Sequence, residues 1–193
     1  MDQNHQMNRY ARQEILPEVG KDGQNRLSAA QVLVVGAGGL AAPVLPYLAG
    51  AGVGEITVVD PDSVNTSNLP RQTLFHECDV GLTKADCAAR AIQALNSAVK
   101  ARAIFGSLTP SNAHDLVAQA DIILDCADSF AASYTLSDTC LAQRKPLISA
   151  SVLGFEGYVG GFCGTAPSLR AVFPDLPMRA ATCATAGVMG PTV

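Results

Sequence analysis

The sequence contains no tryptophan, and aromatic residues make up only 5% of it. A core without large rings must be aliphatic and alanine-rich, which suits helices packed closely on a sheet. No apolar run approaches the roughly 20 residues of a membrane-spanning helix. No block of Lys or Arg occurs either, and 13 basic residues face 17 acidic ones for a net charge of −4. That balance leaves no electrostatic footprint for nucleic acid. The six cysteines stand at 78, 87, 126, 140, 163 and 183, and no two have CxxC spacing, so no zinc knuckle is encoded. Several sit in apolar or alanine-rich segments, where cysteine behaves as a small hydrophobe. We expect a reducing, cytoplasmic setting without structural disulfides. The N-terminal stretch MDQNHQMNRYARQE is polar and carries no apolar signal region. His5, His76 and His114 share no ligand spacing and read as surface residues.

What remains is one domain's worth of chain. The 193 residues can bury a single full core, and a hydrophobic content of 48% would fill it. Residues 5–16 and about 23–30 have the pattern of short helices forming an N-terminal arm. QVLVV at 31–35 is a continuous Val-rich run, the mark of a strand buried on both faces. It passes through Gly36-Ala37-Gly38-Gly39-Leu40-Ala41 into a helix reaching Ala51. Pro43 is tolerable in that helix's first turn, and Pro46 is a point of distortion. A turn at 51–54 precedes a second buried strand, 55–59, ending at Asp60. Residues 61–82 read as loop. Thr83 caps a helix over 84–96, with Asp86 as its capping-box partner. Strands come next at 99–105, 121–125 and 146–150, separated by helices at 111–119 and 129–143, and 157–163 has the pattern of a further strand. Alternating strands and helices predict an α/β fold, with a parallel sheet covered on both faces and right-handed connections.

The glycine loop fits G-x-G-x-x-G/A through Gly36, Gly38 and Ala41. Small residues there allow a tight turn, close approach to phosphate and close packing of helix on strand. The helix N-terminus then offers N–H groups to an anion. Asp60, at the end of the second strand, is placed to accept ribose hydroxyls. The same features also suit a tight strand-to-helix turn with no ligand, and they do not choose between a dinucleotide and ATP. Further polar residues bear on that choice. Arg9 and Arg12 share one helical face. Ser67-Asn68-Leu69-Pro70-Arg71-Gln72 lies in the loop after Asp60, and Lys84 opens the next helix. Each cation alone could be a solvated surface charge. Grouped, they suit a reaction at a nucleotide triphosphate, where fixed cations stabilise charge on phosphoryl oxygens. Asp128, in Asp125-Cys-Ala-Asp128-Ser129, comes after the fourth strand at the ligand-binding edge of such sheets. It could hold Mg²⁺ or cap the next helix. Asp125 and Cys126 read as structural.

Taken together, RYARQ, GxGGL, SNLPRQ, Gly-x-x-Lys at 81–84, DCADS and CxTAGVMGP at 183–191 resemble the ThiF/MoeB/HesA family, from about residue 9 onward. The resemblance implies a Rossmann-like, doubly wound, mostly parallel sheet. It implies a single domain with an arm at 1–30 and a crossover loop at 164–185. The family adenylates the C-terminal Gly-Gly carboxylate of a ubiquitin-like sulfur-carrier protein with Mg-ATP, as the adenylation domain of ubiquitin-activating enzymes does. Carried over by match, Gly36, Gly38 and Gly39 would lie against the nucleotide and Asp60 would bind its ribose. Ser67, Asn68 and Arg71 would line the ATP site, Lys84 would contact the phosphates, and Asp128 would hold Mg²⁺ beside Ser129. Arg12 would reach the triphosphate of a second protomer, which implies a homodimer. Cys183 matches the cysteine that ThiF-like members use to link to the carrier.

Some positions depart from the family pattern. Ala41 replaces the last loop glycine. Ser129 replaces an asparagine and removes an amide near the nucleotide. The cysteine pairs that hold zinc in many members are missing, so no structural zinc is expected and 164–182 must be ordered another way or be mobile. The apolar end, AGVMGPTV, suggests a further C-terminal segment. TCATAGVMGP leans toward the ThiF side, and the pathway could be thiamine, molybdenum cofactor or another sulfur-transfer route, with an unknown sulfur donor. An NAD(P)-dependent oxidoreductase leaves Arg71, Lys84 and Asp128 unexplained. A catalytically weak partner of a heterodimeric activator leaves unexplained why every charged site residue is present.

Overall fold

The computed structural model of the chain describes residues 9–175 and 187–192. Cys183 and the crossover residues from 176 to 185 lie outside them, as do residues 5–8 of the first expected helix.

Six strands form one sheet: β1 (Gln31–Val35), β2 (Glu55–Asp60), β3 (Lys100–Phe105), β4 (Ile122–Asp125), β5 (Pro146–Leu153) and β6 (Glu156–Cys163). Their order is β3-β2-β1-β4-β5-β6. Every pairing is parallel except β5 with β6. The chain therefore winds outward from β1 to β3, returns to the other side of β1 at β4, and winds outward again. β1 and β4 are neighbours at that reversal.

The two sides of β1 explain its uninterrupted apolar run. Val32 and Val34 join a core with Leu45, Ile56, Val58, Ile92 and Val99, under α3 (Ala41–Ala51) and α4 (Lys84–Leu95). Leu33 and Val35 join a second core with Val117, Ile123, Leu136 and Leu147, under α5 (Pro110–Ala118) and α6 (Phe130–Gln143). A strand covered on both faces has no polar alternation to display. The helix α3 continues through Pro46, which supplies no N–H to the turn before it. Thr83 caps α4 by accepting from the Asp86 amide at 3.3 Å.

The sheet differs from the sequence expectation at one edge. β5 runs to Leu153 and folds back antiparallel on β6, with Leu153 opposite Glu156. The two turn residues are Gly154 and Phe155, and Gly154 has φ +61, which glycine adopts without steric cost. Residues 187–189 then lie against the hairpin tip. The Gly154 amide donates to the Gly187 carbonyl at 3.0 Å, and the Met189 amide donates to the Gly154 carbonyl at 3.2 Å.

Among the described residues the arm is divided differently than expected, with α1 at Ala11–Glu14 and α2 at Gly20–Ala29. It is clasped onto the C-terminal ends of α3 and α4. The Asn96 side-chain amide donates to Tyr10 Oη and to the Ala49 carbonyl, both at 2.8 Å. Gln13 donates to Gln24 Oε1 at 2.7 Å, and Gln24 donates to the Ala51 carbonyl at 3.0 Å. Helices of such a sheet run opposite to the strands, so this clasp sits at the strands' N-terminal edge.

Of the crossover, residues 164–175 include α7 (Leu169–Val172), capped by Ser168. Arg170 grips Asp138 through two bonds of 3.0 and 2.8 Å, and its guanidinium stacks 4.4 Å from the Tyr134 ring centre. No helix among the described residues is long and apolar enough to cross a membrane.

Asn96 is 1% exposed, and its loss would remove both of its side-chain hydrogen bonds, to Tyr10 and Ala49, from the clasp. Asn96→Ala should lower the unfolding free energy by about 2 kcal/mol. Equilibrium urea unfolding measures this, and an unchanged midpoint would mean the clasp adds nothing to stability.

Candidate functional site

A cavity of about 430 Å³ opens at the carboxyl ends of the strands, above the point where strand order reverses. Open α/β sheets bind ligands there because the loops diverge at the reversal and leave a crevice. Strands β1 to β4 contribute from their ends: Gly36, Gly38 and Gly39 after β1, Asp60 to Asp62 at β2, Gly106 to Leu108 after β3, and Cys126 to Ser129 after β4. Asn68, Arg71 and Gln72 come from the long loop, Lys84 from α4, and Val188 from the segment beside the hairpin tip.

The glycine loop is fixed by its neighbours. A Cβ at Gly36 would stand 2.5 Å from the Cys126 carbonyl oxygen, and Gly36 has φ +93. Only glycine lets the loop after β1 pass so close to the loop after β4. At Gly38 the demand is different. A Cβ there would meet nothing nearer than Gln72 Nε2 at 3.7 Å, an ordinary contact. The fold has room for a side chain at 38, and that room opens onto the cavity. α3 begins just beyond, and its N-cap Leu40 makes no side-chain capping bond. The helix's first N–H groups thus lack a side-chain partner at a positive dipole end.

Asp60 fastens this loop to β2. Its carboxylate accepts from the Ala37 amide at 2.7 Å and from the Asp62 amide at 2.8 Å. Burial pushes its pKa above the ordinary carboxylate range, against the pull of those two amides and of Lys84. Asp125 is also raised by burial, although Ser149 Oγ donates to it at 2.8 Å and the Ala127 amide at 3.3 Å. It holds the turn that leads to Asp128. Between them, the Cys126 thiol is pushed up to about 12 by burial, with the charge on Asp125 adding to it. That thiol belongs to the packing.

The cations are presented in different ways. Lys84 is 6% exposed, and its ammonium pairs with Asp62 at 2.7 Å. Arg71 is half-buried and donates to the Ser67 carbonyl at 2.9 Å. Ser67 itself is exposed and does not line the cavity; its backbone supports Arg71 instead. Asp128 and Ser129 are exposed at the rim. Asp128 does not cap α6, whose N-cap is Ser129 with no side-chain capping bond. Arg12 is exposed on α1 at the opposite edge of the sheet and is not part of its own chain's cavity. The expected residues brought together are therefore Gly36, Gly38, Gly39, Asp60, Asn68, Arg71, Lys84, Asp128 and Ser129. Asp62, Gln72 and Ser107 join them from outside the sequence-based set. Gln72 closes the SNLPRQ motif, and Asp62 stands two residues past Asp60.

Among the described residues, no group of three or more His, Cys, Asp or Glu is placed to hold a metal ion. One rim carboxylate beside an anion cradle suits Mg²⁺, which binds through one or two carboxylates and substrate phosphates and keeps its waters.

A family profile described as the ThiF family matches residues 10–193. The chain belongs to the ThiF family. It is 46% identical over 188 residues to adenylyltransferase and sulfurtransferase MOCS3 of Bos taurus, covering 96% of this chain and 41% of that one. It is 42% identical to the SAMP-activating enzyme E1 of Haloferax volcanii, covering 96% and 69%. The chain thus spans well under half the length of MOCS3 and about two thirds of the Haloferax enzyme. Among solved structures, E. coli MccB with MccA-N7isoASN superposes with a TM-score of 0.76 at 25% identity, covering 95% of this chain and 61% of that one. E. coli TcdA in complex with AMP superposes with a TM-score of 0.68 at 28% identity, covering 71% and 57%.

The described part of the ThiF-family segment AGVMGP, from Gly187 on, also has a structural place here. A Cβ at Gly190 would stand 2.4 Å from the Pro70 carbonyl oxygen, so this segment packs directly on the SNLPRQ loop. Two motifs far apart in sequence form one wall.

The two glycines should respond differently to a methyl group. Gly36→Ala should destabilise the fold by more than about 2 kcal/mol, while Gly38→Ala should leave the melting temperature within a degree or two yet abolish nucleotide binding. Thermal unfolding and titration calorimetry on both variants separate the cases. Asp125 binds a proton more tightly in the folded chain, so its neutral form adds stability at low pH that is lost as pH rises through its raised pKa. The stability of Asp125→Asn relative to the unsubstituted chain should therefore increase as pH is raised from about 4 toward neutrality. Urea midpoints across that range read the difference directly, and a pH-independent difference would contradict it.

Proposed function

We propose that the chain is a single ATP-binding adenylation domain that activates the C-terminal glycine carboxylate of a ubiquitin-like sulfur-carrier protein. The observation that carries this reading is the convergence of five motif segments on one cavity: the glycine loop with Asp60, SNLPRQ, Lys84, DCADS and AGVMGP. Relatives that match 94–96% of the chain bear the names adenylyltransferase and sulfurtransferase or activating enzyme.

In this reading the glycine loop and the start of α3 receive the phosphates, and Asp60 faces the ribose. Arg71 and Lys84 hold charge that develops on the phosphoryl oxygens. Magnesium, held by Asp128 together with phosphate oxygens, would neutralise part of that charge. The carrier's carboxylate attacks the α-phosphorus, the bond to the bridging oxygen breaks, and pyrophosphate leaves. No side chain needs to act as nucleophile, so the protein supplies position and charge. Arg12 does not line its own cavity, and we assign it to the cavity of a second copy in a homodimer. Cys183 is the proposed carrier-linking thiol. A reducing cytoplasm is the setting proposed with this reading. The pathway, thiamine or molybdenum cofactor or another, depends on which carrier is accepted.

Carrier-dependent exchange of labelled pyrophosphate into ATP tests the proposal, using Mg²⁺ and a panel of carriers ending in Gly-Gly. Exchange should appear with one carrier and fall on the order of 100-fold or more in Asp128→Ala and in Arg71→Ala. Full exchange in both variants would remove these residues from the site. Binding of NAD in place of ATP would overturn the nucleotide assignment.

A further inference from the structure

Gln72 is a polar side chain with an unmet need. It is 3% exposed, and its Oε1 is buried with no hydrogen-bond partner among the described residues. Leaving a buried amide oxygen unpaired costs on the order of 1–3 kcal/mol. Folded proteins seldom keep such a group without a use for it. A leucine or methionine would fill the space at no such cost. The other end of the amide indicates the use. Nε2 is the nearest heavy atom to the space above Gly38, at 3.7 Å from where a Cβ would stand, and both residues line the cavity. Nε2 donates none of the described hydrogen bonds. It is also neighbour to the N-terminus of α3, and Gln72 is next after Arg71 in the chain.

We propose that Gln72 is a ligand-contacting residue whose Nε2–H donates to a phosphate oxygen seated over Gly38. This rests on the nucleotide reading above and adds to it a neutral donor among the cations. The chemistry separates its task from theirs. Arg71 attracts an anion over several ångströms and holds it at a flexible end, and Lys84 meets it as a point charge already paired with Asp62. A buried amide has one orientation and a short reach. It favours an acceptor at one point above the loop, and it adds no charge that would draw in any other anion. The inward-facing oxygen is the cost of presenting the nitrogen outward. Gln72 would thus set where the phosphate chain enters the glycine loop, while contributing nothing to recognition of the nucleoside.

The test separates that role from a structural one. ATP and adenosine affinities are measured by calorimetry, with Mg²⁺ present, for the unsubstituted chain, Gln72→Met and Gln72→Glu, with melting temperatures alongside. Gln72→Met should melt at the same temperature or higher, because the orphaned oxygen is gone. It should bind ATP at least tenfold more weakly and adenosine unchanged. Gln72→Glu keeps the shape and replaces the donor by a negative oxygen, so it should weaken ATP further and again spare adenosine. Should Gln72→Met fail to fold, Gln72→Leu takes its place, since it also removes the donor without adding a charge that would repel ATP at a distance. Equal ATP affinity in the variants, or parallel loss of ATP and adenosine, would overturn the proposal while leaving the nucleotide reading intact. Failure of the unsubstituted chain to bind ATP would overturn both.

Discussion

The loop after β1 crosses the loop after β4 at van der Waals distance, and most of the site depends on that crossing. The Cys126 carbonyl occupies the space that any side chain at position 36 would need. Because the two strands are neighbours at the reversal of strand order, their loops must share this volume before they separate. Once they do, α3 begins on one side and α6 on the other, and the crevice between them is the cavity. Asp60 ties the same loop to β2 through the Ala37 amide, so three strand ends are coupled within a few ångströms. The raised pKa values of Asp60 and Asp125 show what placing carboxylates there costs. Both are buried enough that desolvation outweighs their hydrogen bonds.

Much of this architecture was legible because it rests on local signals. QVLVV declares a doubly covered strand, and the glycine loop declares the helix beyond it. The Thr83 cap and the alternation of strands with helices are equally local. The failures lie where tertiary partners decide. Serine, valine and glycine around 151–157 give no firm period, and the Gly154–Phe155 turn becomes visible only when β6 is laid against β5. The helix expected over 5–16 is reduced within the described residues to Ala11–Glu14, since its polar contacts are with α2, α3 and Asn96 and little in it stabilises a free helix.

The candidate site divides in the same way. Gly36, Asp60, Arg71, Lys84 and Asp128 stand out by type and position, and the structure gathers them. Ser67 stands out equally, yet only its backbone contributes. Asp62 carries no distinguishing pattern, and Gln72 closes the SNLPRQ motif without a role of its own that the sequence assigns. Burial of Gln72 and of the Lys84 ammonium that Asp62 pairs with gives both their significance, and burial is a property of the assembled fold. The family resemblance supplied the chemistry, whereas the geometry shows which motif members face the same space.

The pairing of Lys84 with Asp62 alters how the cavity's charge should be counted. A buried ammonium needs a counterion in every state, and Asp62, on the exposed side, provides one before any ligand arrives. An entering phosphate would take over a partner already in use, releasing a carboxylate to solvent. The two attractions largely offset one another, so Lys84 acts by exchange and adds little net pull. Among the described residues Arg71 rests on a carbonyl dipole and has no such carboxylate to surrender. The long-range attraction of this cavity for anions therefore comes mainly from one guanidinium and one helix end, in a chain whose overall charge is negative. Electrostatic capture should be weak here compared with what a tally of its cations implies, and affinity must come from fit at close range.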